Sequence, residues 1–125
     1  MKKLLLYWGP TILWMGLIYY LSSEHAVVAS TVKWQDFAVH KSAHVVIYFV
    51  LAVWMYRSLK FSTPPSSRGK LFFWTVVLTS LYAVTDEWHQ SFTPTRTPAL
   101  RDVMFDIVGA SVGAGWVANI VYKQK

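Results

Sequence analysis

The chain contains no cysteine. Disulfides, haem thiolates and zinc–thiolate centres are therefore excluded, and nothing in the composition reports a redox compartment. Charge is also scarce: Asp, Glu, Lys and Arg make up 14% of 125 residues, against 54% hydrophobic. A typical soluble domain carries about 25% charged residues, so an ordinary water-facing surface is hard to build from this chain. A clustered basic stripe is missing too. The formal net charge is +6, but the Lys and Arg residues are scattered between apolar blocks, which argues against a nucleic-acid partner. No internal repeat and no separate soluble domain can be discerned.

What the chain does have is apolar length and aromatic rings. Mean hydropathy is +0.34, and the 7 Trp and 7 Tyr suit a protein with two membrane interfaces to line. Residues 4–21, 39–59, 71–88 and 103–122 are predicted as membrane helices within one domain, 1–125. The first block has no charge, and at about 1.5 Å per residue it reaches roughly 27 Å, close to the ~30 Å hydrocarbon core. The apolar part of the third, Leu71 to Thr85, is short for a span. Lys2 and Lys3 ahead of an apolar stretch resemble a secretory signal. The length of that stretch, its Trp and Tyr content and the lack of a small-x-small cleavage site favour a retained helix.

Basic residues orient the helices. Lys2, Lys3, Arg57, Lys60, Arg68, Lys70, Lys123 and Lys125 fall on one side, and Lys33, Lys41, Arg96 and Arg101 on the other. The richer side is the cytoplasmic one, which puts both termini in the cytoplasm. The Pro/Ser-rich linker "KFSTPPSSRGK" cannot continue a helix. The expected fold is an all-α integral membrane bundle of four transmembrane helices.

Against this background "TDEWHQSFTPTRTPALRD", residues 85–102, is the most polar run in the chain. Four alternating helices bring Lys41 and His44, then Asp86, Glu87, His89 and Gln90, then Asp102 and Asp106 to the same outer face. Lys41, His44 and Tyr48 lie on one helical stripe. They suit an anionic headgroup and proton transfer, or else a snorkelling lysine and a helix-capping histidine. Asp86, His89 and Gln90 share a face, with Glu87 about a quarter-turn away. Carboxylates at membrane depth suit general acid or base roles, or ion pairing with Arg96, Arg101 or Lys41. Arg96, between two prolines, presents a fork for phosphate or carboxylate, or a structural ion pair. Asp102, Asp106, Gly109 and Gly113 form another stripe, whose glycines let a neighbouring helix approach. Acids beside histidines also suit a divalent metal, but no tight ligand spacing such as HExxH occurs, so a metal or other cofactor stays unknown. The first helix has no ionisable residue, and its aromatics are read as packing and interface anchors. Pro10 is a candidate kink.

The order "K-x-x-H" (Lys41, His44), "DE-x-HQ-x-F-x-P-x-R" (Asp86, Glu87, His89, Gln90, Phe92, Pro94, Arg96) and "D-x-x-x-D-x-x-G-x-x-x-G" (Asp102, Asp106, Gly109, Gly113) resembles the VanZ-like family over residues 38–115. Two positions depart from the family pattern, which often has glycine where this chain has Thr95 and asparagine where it has Asp106. The resemblance implies a small bacterial membrane protein with a cell-envelope role, in a family whose namesake is linked to teicoplanin resistance. It names no reaction.

Two functions remain open. In the first, the outer site binds or shields against a lipid-tailed glycopeptide or envelope lipid, with membrane lipids and a lipid-linked envelope precursor as further partners. Lys41, Tyr48, Gln90, Arg96, Asp102 and Asp106 are its candidate binding residues. In the second, the chain is a membrane enzyme hydrolysing or transferring a group on such a lipid, with Glu87, His89, Asp86 and His44 as candidate catalytic groups. Ser91 and the loop threonines show no triad around a nucleophile. A third possibility is that the polar set only staples helices together.

Overall fold

The uncharged block near the start needs no partner to satisfy its backbone, and it forms a helix longer than itself. In the computed structural model, which describes residues 2–64 and 67–123, α1 spans Lys2–Ser23, α2 Lys33–Ser62, α3 Arg68–Gln90 and α4 Leu100–Lys123. Lys125, counted above among the cytoplasmic charges, and Pro65 and Ser66 of the linker lie outside the described residues. α1, α2 and the stretch of α4 over Leu100–Val121 are long and apolar enough to cross a membrane. Leu5 (70%) and Leu13 (76%) on α1 stay exposed, as a lipid-facing wall would.

α2 begins at Lys33, ahead of the apolar block that starts at Val39. The early start has a local cause: Asp36 in the first turn accepts from the Ala29 N–H at 2.7 Å and the Ser30 N–H at 3.3 Å, tying the incoming loop to the helix. α3 begins after the proline linker, where the Ser67 hydroxyl accepts from the Lys70 N–H at 3.3 Å. That is an ordinary N-cap.

α2 is the axis of the bundle, and its pairing with α4 is the most extensive. Small residues make this possible. A Cβ added at Gly109 would collide with the Val45 carbonyl, and one at Gly113 with the Phe49 carbonyl. Backbone therefore meets backbone, as small-xxx-small spacing allows. Ala52, Ala110 and Ala114 continue the same seam.

Pro10 lies inside α1, which runs through it unbroken. A proline frees the carbonyl four residues before it, here that of Leu6. Arg57 of α2 donates to the Leu6 carbonyl at 3.1 Å, and Ser58 donates to the neighbouring Tyr7 carbonyl at 2.8 Å. A buried hydroxyl pair, Thr11 with Ser58 at 2.7 Å, joins the helices beside them. This end of the bundle is held by backbone carbonyls. The opposite end holds the acids.

Candidate functional site

The C-terminal ends of α1 and α3 meet the N-terminal parts of α2 and α4 at one end of the bundle. Asp86 is the hub nearest α1. It accepts hydrogen bonds from the Ser22 hydroxyl, from the Tyr48 hydroxyl at 3.1 Å and from the Gln90 amide at 3.2 Å. All of these residues are buried. A carboxylate out of water needs such donors, and α1, α2 and α3 each supply at least one.

Towards α4, two further links join it to α2. Lys41 forms an ion pair with Asp102, both mostly buried, and His44 Nδ1 lies 2.8 Å from Asp106 Oδ1. Asp106 is fully buried, and its second oxygen, Oδ2, has no hydrogen-bond partner. Glu87 shows the same asymmetry. Its Oε2 accepts from the Ala99 N–H at 3.1 Å, while Oε1 is buried without a partner. One ligating atom from each of His44, Glu87 and Asp106 falls within 4.8 Å of the others.

A cavity of about 170 Å³ opens between α1, α2 and α3. Ile18, Leu21, Ala43 and Ile47 form its apolar side, and Ser22, His40, His44, Tyr48, Asp86, Gln90 and Arg96 its polar one. Lys41, Glu87, Asp102 and Asp106 are not among its walls. His44 thus borders both the cavity and the acids of α3 and α4.

The residues singled out from sequence are distributed unevenly here. Lys41, His44, Tyr48, Asp86, Glu87, Gln90, Asp102 and Asp106 are brought together. His89 is not: its ring stacks on Tyr19, with centroids 4.2 Å apart, and its Nδ1 has no partner. Arg96 lines the cavity but donates to the carbonyls of Leu21 at 3.0 Å and Glu24 at 3.1 Å. Its fork therefore clamps the end of α1. Sequence reasoning missed Ser22, because it weighed only ionisable residues in the first helix. The signal available was a serine closing an apolar helix at the depth of Asp86.

A helical bundle with three membrane-length apolar helices, and with buried acids beside a histidine and a lysine at one end, has the build of a membrane protein with a polar cluster at one end. The chain belongs to the VanZ/LLP1 family, whose model matches residues 7–122. No curated protein and no solved structure matches it significantly.

Proposed function

We propose that the chain is a cell-envelope protein of the bacterial cytoplasmic membrane that binds an amphiphile at its polar end, seating one small part of it in the cavity between α1, α2 and α3. All four helices span, both termini are cytoplasmic, and the polar end faces outward. The ligand is a lipid-tailed glycopeptide or a lipid-linked envelope precursor, and its capture contributes to teicoplanin-type resistance. The observation that carries this reading is the cavity's two-sided lining: Ile18, Leu21 and Ile47 against His40, Asp86, Gln90 and Arg96. Such a wall suits a molecule with an apolar tail and a polar head.

The test fills the cavity without touching the polar cluster. Ala43 lines it and is otherwise exposed, so Ala43→Phe should block entry while the fold persists. In a sensitive Gram-positive host at matched membrane levels, wild type should protect against teicoplanin and not vancomycin, and Ala43→Phe should lose that protection. Equal protection by both would sink the cavity reading.

A second reading, hydrolysis or transfer on an envelope lipid, is favoured by the unpartnered oxygens of Glu87 and Asp106 beside His44. Groups held without partners at a buried site are available for chemistry. Glu87 and His44 then carry the acid and base roles in preference to His89, which stacks on Tyr19. Lipid mass analysis separates the readings, since capture leaves every mass unchanged.

A further inference from the structure

We infer that His44, Glu87 and Asp106 form a binding site for one divalent transition-metal cation. Each comes from a different helix, α2, α3 and α4, and one donor atom from each lies within 4.8 Å of the other two. Donors sharing an ion at about 2.1 Å stand roughly 3–4 Å apart. Small side-chain rotations bridge the difference.

Two independent observations point to a ligand. Glu87 Oε1 and Asp106 Oδ2 are buried with no hydrogen-bond partner, in residues only 7% and 0% exposed. Leaving such oxygens unmade costs about 1–3 kcal/mol each, more for charged groups. Basic side chains do not fill the gap: Lys41 pairs with Asp102, Asp106 has the His44 imidazole as its ion-pair partner, and no lysine or arginine forms an ion pair with Glu87 or Asp106 among the described residues. A divalent cation supplies the missing partner.

The surroundings hold the donors in place. Gly109 and Gly113 seat α4 directly on the α2 backbone at Val45 and Phe49, which sets the separation of Asp106 from His44. The Ala99 N–H fixes Glu87 through Oε2 and leaves Oε1 free. Outer contacts of this kind orient ligands in metal sites, and helical bundles build such sites from facing helices.

The donor set selects the ion class. One imidazole with two carboxylates suits Zn²⁺ or Mn²⁺, whereas Mg²⁺ and Ca²⁺ prefer oxygen alone. Three protein donors leave positions for water or a ligand oxygen, the pattern of catalytic rather than structural metals. The site bears on the enzymatic reading but does not rest on it, because ion binding is measured without a substrate.

The test uses the full chain purified without a polyhistidine tag, stripped with chelator and titrated with Zn²⁺, Mn²⁺ or Co²⁺, with Mg²⁺ and Ca²⁺ as controls. Stoichiometric retention of Zn²⁺ or Mn²⁺ by elemental analysis is expected, together with a visible d–d band for bound Co²⁺. Glu87→Gln and Asp106→Asn should each weaken binding at least about tenfold, and His89→Gln should leave it unchanged. The Co²⁺ band and the stoichiometry are read on wild type, so they decide even if the variants fail to fold. Substoichiometric metal with no Co²⁺ band overturns the site. So does binding that survives both carboxylate substitutions.

Discussion

Thr95 stands at φ 70, the left-handed region where a β-branched side chain is rare. Its hydroxyl accepts from the Ala26 N–H at 3.2 Å, and the next residue, Arg96, grips the carbonyls at the end of α1. The strained residue thus sits in the stitch that closes one side of the cavity. Glycine carries no Cβ penalty in this conformation. Strain of this kind costs about 1–3 kcal/mol, while an exposed hydrogen bond returns about 1 kcal/mol. Thr95→Gly should therefore unfold within ~1 kcal/mol of wild type or be slightly more stable. Thr95→Val keeps the strain and loses the bond, and should be about 1 kcal/mol less stable. Thermal unfolding of the purified proteins in detergent ranks them. If glycine is the more damaging change, the Ala26 contact outweighs the backbone strain.

At the level of helices, Pro10 and Arg57 answer one another. The proline withholds its N–H from Leu6, and the guanidinium takes that carbonyl instead. Within a membrane an unsatisfied carbonyl has no water to turn to. Arg57→Leu should cost about 2 kcal/mol, the range for a charged hydrogen bond. In a Pro10→Ala background the restored N–H caps Leu6, and the same change should cost about 1 kcal/mol less. Unfolding of the four variants gives the coupling, and additive effects would mean Arg57 is anchored by something other than Leu6. Sequence alone showed both residues but not their partnership, which depends on how α1 packs on α2. The glycines of α4 were more legible. Gly109 and Gly113 share a stripe with Asp102 and Asp106, so a close approach by the helix facing those acids followed from spacing. Which helix that was did not follow.

For the whole molecule, the four helices were legible because charge and proline interrupt the apolar blocks at sharp points. The meeting of Lys41, His44, Asp86, Glu87 and Asp106 followed from alternation alone, since antiparallel neighbours bring every second end together. Ser22 and the stacking of His89 on Tyr19 did not, because both depend on the rotation of a helix about its own axis. α3, expected from sequence to span, is not among the helices long and apolar enough to cross a membrane, with "RGK" at its start and "DEWHQ" at its end. Its 23 residues reach about 34 Å at 1.5 Å each, long enough to cross a ~30 Å core. The absence of cysteine makes its path directly testable, because one introduced thiol is the only thiol present. Val28, Thr63, Ser67 and Ser91 are exposed residues beyond the helix ends. With a membrane-impermeant maleimide on intact cells, Val28→Cys and Ser91→Cys should label, while Thr63→Cys and Ser67→Cys should label only after permeabilisation. Labelling of Ser67→Cys and Ser91→Cys from the same side would mean that α3 does not span. The acids would then meet their partners from a helix lying along the membrane, and the alternation that places them together would lose its physical basis.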